Sequence, residues 1–151
     1  MRVIRVKQVV IETFSHATED FSKVKQALLN TIPSDMRNRV RVDVVNVKGH
    51  YGNEIGILKL RIKGGESLNV LKNIICSLSS TERNILIATL SSRVNAKASH
   101  LHIRLSKQQA YLNRLTLLEG GDVIKVMATI EGAMDVERLR KFLTELIGGC
   151  K

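Results

Sequence analysis

Four histidines, His16, His50, His100 and His102, are the side chains best suited to move protons or bind a metal near neutral pH. His16-Ala17-Thr18 matches half of a phosphodiesterase signature, in which two His-x-Thr or His-x-Ser motifs face each other across a pocket. None of the other three histidines is followed two residues on by Ser or Thr. One copy cannot supply both an acid and a base. His100 and His102 share one side of an alternating stretch and could give two metal ligands, with His50 as a distant third. Arg104 beside them repels a cation, and no carboxylate lies nearby in sequence. Cys76 and Cys150 have no CxxC spacing, so a zinc knuckle is not expected. Cys76 lies in an apolar helical pattern and reads as a small core residue, Cys150 as a tail thiol. KGGES at 63–67 lacks the phosphate-loop frame, and EGGD at 119–122 opens no phosphate-binding helix. No nucleophile elbow and no carboxylate pair in an apolar setting is present. The reading is no catalytic residue, no cofactor and no metal.

The remaining chemistry is that of fixed positive charge. In IGILKLRIK (55–63), Lys59, Arg61 and Lys63 fall on one side and Leu58, Leu60 and Ile62 on the other. In HLHIRL (100–105), His100, His102 and Arg104 oppose Leu101, Ile103 and Leu105. Arg39, Arg41, Arg5 and Lys7 are candidates to join these rows. Net charge is +10 and the pI about 10.0. The excess is +4 in residues 1–50 (nine basic, five acidic) and +6 in 51–110 (nine and three). It is zero in 111–151 (six and six). Such a balance favours an anionic partner, nucleic acid above all. Aromatic residues are only 3% of the chain, too few for a base-stacking platform. Contact through phosphate charge and shape is expected instead. The plainer alternative is that the basic rows are only the solvated sides of exposed strands.

Elements must position these rows. Residues 2–14 read as a long strand, partly covered on both faces at Val9–Ile11 and so interior. Thr18 caps a helix that runs to Ile32, before Pro33. Residues 39–48 and 55–63 read as a hairpin around GHYGNEI. A helix follows over 66–78, and Ser79 with Glu82 forms a capping box for the next. Residues 100–105 and 123–130 are further strands. Ser106 caps a short helix through Tyr111, and Asp135 caps the last one. This order gives one α+β domain over 1–151: a mixed, largely antiparallel sheet with helices packed mainly on one face. The open face would carry the basic rows, with acidic residues collecting elsewhere. No apolar run is long enough to span a bilayer, and a cytoplasmic protein without membrane contact is expected.

GHYGNEI at 49–55 and LHIRLSKQQAY at 101–111 together resemble an archaeal family of predicted RNA-binding proteins, also described as predicted exosome subunits. That family is similar in fold to the large-subunit ribosomal protein that binds five-S RNA. The resemblance covers residues 1–131 by order of elements. The family's histidine-glycine-asparagine turn corresponds to His50, Tyr51, Gly52 and Asn53. Its second motif corresponds to Arg104, Leu105, Ser106, Lys107 and Gln108, with Ala110 and Tyr111 following. Ser106 stands where the family usually has Asp, and Asn113 where Gly is common; Ser can still cap the turn.

The resemblance and the charge pattern together predict a non-catalytic protein that binds structured or double-stranded RNA. Lys59, Arg61, Lys63, Arg104 and Lys107 would meet phosphates, with His102 in the same row. Gln108 and Gln109 would reach sugar hydroxyls or base edges. His50, Tyr51 and Asn53 would line the rim. The competing reading is a protein-interaction module that docks on an exosome or ribosome component without touching RNA. A homodimer through edge strands or the last helix is compatible with either.

Overall fold

The structure, a computed structural model, describes residues 3–150. Arg2, the first residue of the expected N-terminal strand, lies outside them.

Five strands form one sheet: β1 (Arg5–His16), β2 (Asp43–Lys48), β3 (Glu54–Lys63), β4 (His100–Leu105) and β5 (Ile124–Glu131). Their spatial order is β2-β3-β1-β5-β4, and all four pairings are antiparallel. β1 is the middle strand, as its apolar run requires. Alternation sets which side of each strand faces the helices, broken once in β1, where the register slips between Val6 and Gln8. Val9 and Ile11, Leu58 and Leu60, Leu101 and Ile103, and Val126 and Ala128 are all buried.

Helices α1 (Phe21–Leu29) and α2 (Glu66–Ser77) cover that side, packing on β1 and β3. α3 (Ser80–Ala88) and α5 (Val136–Gly148) pack together, and α5 also touches α2. The short α4 (Lys107–Tyr111) lies against α1. Val24 and Leu28 of α1, and Leu71, Ile74 and Ile75 of α2, fill the space above the sheet at helical spacing. The expected α+β architecture with helices on one face is therefore present.

Local chemistry moved two boundaries. α1 is capped by Asp20, whose carboxylate accepts from the Ser22 amide, and not by Thr18. Two cap-type residues stood in tandem, and the one nearer the apolar stripe serves. β2 starts at Asp43 and not at residue 39. Arg37 donates to the carbonyls of Ile32 and Asn30, and Arg39 makes two hydrogen bonds to Glu66 at 3.2 and 2.7 Å. These ties pull residues 37–42 out of the sheet. The capping box of α3 is present as expected, with Ser79 and Glu82 bonded reciprocally.

The cysteine reading is corrected. Cys76 and Cys150 form a disulfide across 74 residues of sequence, tying the C-terminal end of α2 to the residues after α5.

The two sheet edges differ. Beside β4 the chain adds bridges at Val94–Leu101 and Leu105–Leu117, which cover that edge. β2 has no such cover among the described residues: all six of its residues are exposed, including Val44, Val45 and Val47.

Candidate nucleic-acid interface

The face of the sheet away from the helices is open, and register decides what lies side by side on it. One rung reads Lys63, Gln8, Thr129, His100 from β3 to β4. The next reads Arg61, Val10, Met127, His102. A third crosses all five strands: Asp43, Lys59, Glu12, Lys125, Arg104. The two basic rows are thus on one face, as expected, but β1 and β5 separate them. Three strand spacings put them about 14 Å apart. Lys125 lies between them and belongs to the same face. Sequence reasoning missed it; the signal was its place between Ile124 and Val126 in an alternating strand.

The expectation that acidic residues lie elsewhere is corrected. Glu12 sits mid-sheet and pairs with Lys59 at 3.3 Å. Antiparallel register with β3 brings it there, and register is not visible along a single strand. Lys59 is therefore already paired within the sheet.

The other cations fall into two groups. Arg104 donates to the Gly120 carbonyl at 2.8 Å, and Lys125 lies 5.8 Å from the centre of the Phe14 ring. Arg61 and Lys63 have no side-chain partner among the described residues. They share a hollow of about 400 Å³ with Arg39 and Arg41. There Glu66 and Asp43 are matched to Arg39 and to Arg41, the latter at 3.0 Å. The guanidinium of Arg39 holds the Glu66 carboxyl below its usual range. Arg61 and Lys63 are the surplus charge of this corner.

At the opposite edge, Arg93, His102 and Arg104 line a second cleft of about 590 Å³ with Thr89, Ser92 and Glu119. Burial, then His100 and Arg104, lower the pKa of His102. Near neutral pH it offers hydrogen bonds and not charge.

Lys107 is not on the open face, and its assignment to phosphate is corrected. It is buried, and its ammonium donates to the Phe14 carbonyl at 2.8 Å, Glu19 Oε1 at 2.9 Å and Asp122 Oδ1 at 2.8 Å. His16 Nε2 lies 3.2 Å from the same Asp122 oxygen. His16, Glu19 and Asp122 offer ligand atoms within 4.8 Å of one another, a spacing a metal could use. Glu19 and Asp122 are spent on the lysine. Both ends of this network lie off the expected site, so the sequence motif marks a structural corner there.

Gln108 faces neither basic row. It lines a groove between α1 and α4 with Lys23, Ala27 and Tyr111. Gln109 is half-buried in the same short helix. His50, Tyr51 and Asn53 form the exposed tip of the β2–β3 hairpin, at the sheet end that also holds His16 and Ser106. Tyr51 is 91% exposed, and its ring meets His50 edge-on at 5.0 Å. Gly49 closes the tip: its amide donates to the Asn53 carbonyl, and a side chain at this position would strike Asn53.

A family model described as RNA binding matches residues 8–130. A Pyrococcus abyssi protein named as an RNA-binding protein is 31% identical over 149 residues, covering 97% of this chain and 96% of its own length. An uncharacterized protein of Methanocaldococcus jannaschii is 28% identical over 123 residues, covering 81% and 83%. A crystal structure of a DUF54 protein from Sulfolobus solfataricus superposes with a TM-score of 0.79 at 27% identity, covering 93% of this chain and 97% of that one.

Proposed function

The chain belongs to the RNA-binding family whose pattern spans residues 8–130, and from that membership we propose that it binds structured RNA through the open sheet face, without catalysis. One observation carries the choice of surface: Arg61 and Lys63 are exposed, share a hollow with Arg39 and Arg41, and have no side-chain partner among the described residues. Phosphates would complete them. Lys125, His102 and Arg104 would meet a second stretch of backbone across the sheet. The scarcity of exposed aromatic rings agrees with recognition by backbone and shape, the mode that duplex RNA invites. Residence in the cytoplasm is part of the same proposal.

Filter binding on duplex and hairpin RNA over a salt series tests this. The logarithmic slope should be about 0.7–0.9 per phosphate neutralised. An affinity weaker than about millimolar at low salt, or a flat salt response, would sink the reading.

A second reading has its own observation. β2 leaves Val44, Val45 and Val47 exposed on an edge that no described strand covers. Open edges of this kind accept another chain's strand. Under this reading the protein docks on an exosome or ribosome component, or on a second copy of itself. Co-sedimentation with purified exosome or ribosomal subunits, and light scattering for a dimer, should then respond to Val45→Glu and not to Arg61→Glu. The reverse response favours RNA.

A further inference from the structure

On the helix side of the molecule a cavity of about 580 Å³ opens where the end of α1, the second half of α2, the start of α3 and the loop after α4 meet. Ile32, Pro33 and Leu115 give it apolar lining. Its polar lining includes Ser34, Arg37, Asn73, Asn113, Arg114 and Thr116. We propose that this cavity holds a single unpaired nucleotide unit, a heterocyclic base carrying a phosphate.

The volume lies in the range of small-ligand sites, roughly 300–1,000 Å³. The charge is suited to a phosphate. Arg37 is fixed in place: Nε donates to the Ile32 carbonyl at 3.1 Å, and Nη2 to Asn30 and Asn113 oxygens at 3.4 Å. Its Nη1 is uncommitted among the described residues. The Arg114 side chain has no partner among the described residues and is exposed at the rim. The one acid in the lining, Glu82, is engaged: its two oxygens accept from the amides of Ser79 and Leu117. Two guanidiniums therefore face one occupied carboxylate.

The amides are suited to a base edge. Asn73 spends its Nδ2 on the Thr31 carbonyl at 3.4 Å, which leaves Oδ1 as an acceptor. Asn113 spends its Oδ1 on Arg37, which leaves Nδ2 as a donor. A donor and an acceptor of this kind are what a base presents along its own edge. Asn113 holds φ of 64°, a conformation that asparagine adopts more readily than most residues. The apolar lining supplies a surface for the ring. A paired base cannot enter such a cavity; an unpaired one, or a free mononucleotide, can.

The inference deepens the RNA reading but fails separately from it, because no residue of the sheet face is involved. The test is an amide NMR titration of the full chain with each of the four ribonucleoside monophosphates, with inorganic phosphate as a parallel probe. At least one mononucleotide should shift the signals of Ser34, Asn73 and Thr116. Arg114→Glu should weaken that effect about tenfold, as loss of a charge-assisted contact implies. Three results overturn the proposal: no mononucleotide moves those signals, the shifts survive Arg114→Glu, or phosphate alone reproduces them. A hairpin with one bulged nucleotide, compared with its fully paired counterpart, separates the sources. A bulge preference that Arg114→Glu removes assigns the site to RNA; its absence beside mononucleotide binding assigns it to a free nucleotide. Arg61→Glu should weaken duplex binding and leave the mononucleotide shifts in place. If duplex binding is absent while the shifts remain, the sheet-face reading alone has failed.

Discussion

The Lys107 ammonium lies 2.8 Å from Asp122 and 2.9 Å from Glu19, and it joins three separate parts of the chain at one corner of the sheet. Glu19 follows β1, Lys107 opens α4 and Asp122 precedes β5. The lysine side chain is 8% exposed, while Glu19 and Asp122 are 29% and 61% exposed. The cation is the buried member. It also donates to the Phe14 carbonyl, so removing it takes one donor from each of three acceptors, while Glu19 keeps the His16 amide and Asp122 keeps the His16 ring.

Lys107→Ala should therefore act on stability. A cost of about 2 kcal/mol in urea unfolding is expected, below the range for fully buried pairs because both acids can rehydrate. RNA affinity of the folded variant should change by less than about threefold. A folded, stable Lys107→Ala protein that had lost RNA binding would return the lysine to the interface.

Acid should weaken the same corner. Lys107, and after it His16, hold the Asp122 carboxyl below its usual range. A carboxylate depressed in the folded state stabilises fully above its unfolded pKa of about 3.9, and that contribution is lost as pH falls through the folded value. The melting temperature of the native protein should fall as pH drops below about 4. In Lys107→Ala that fall should be shallower.

Arg61→Glu with Lys63→Glu should weaken RNA binding about equally for different sequences. It should also reduce the salt slope by about one unit per lost phosphate contact. Circular dichroism should remain unchanged, since neither side chain has a partner to lose among the described residues. An undiminished slope would exclude both residues from the contact.

Glu12→Gln should do the opposite. It removes the acid at mid-sheet and frees Lys59, now held at 3.3 Å. RNA should bind more tightly, with a steeper salt slope. A neutral result would mean that RNA does not cross β1.

Cys150→Ser opens the 74-residue link to Cys76. The loop-entropy estimate for a link of this length is about 4 kcal/mol, and native disulfides contribute about 2–4 kcal/mol. Thermal unfolding should shift down accordingly. Reductant should lower the melting point of the native protein and leave that of the variant unchanged.

What could be read along the chain was what local periodicity encodes. Strands 55–63 and 100–105 alternate cleanly because one side meets the helices and the other meets water. The capping box at Ser79 and Glu82 is likewise a local pattern. What failed depends on partners distant in sequence. Lys107 looked solvated because lysine usually is; its acids lie 88 and 15 residues away. Glu12 looked remote from the basic row until register set it against Lys59. The cysteines gave no pairing signal, since spacing alone does not specify connectivity. The hollow at Arg61 and Lys63 needed residues 37–42 to leave the sheet, which Arg37 and Arg39 brought about by bonding elsewhere.

Three strand steps separate β3 from β4, and each step in a sheet rotates the strand direction by about 20–25°. The two basic rows are consequently inclined to each other by roughly 60–75°. A straight rod of duplex can run along one of them and only cross the other. A bent or branched RNA, with two arms diverging at that angle, could follow both.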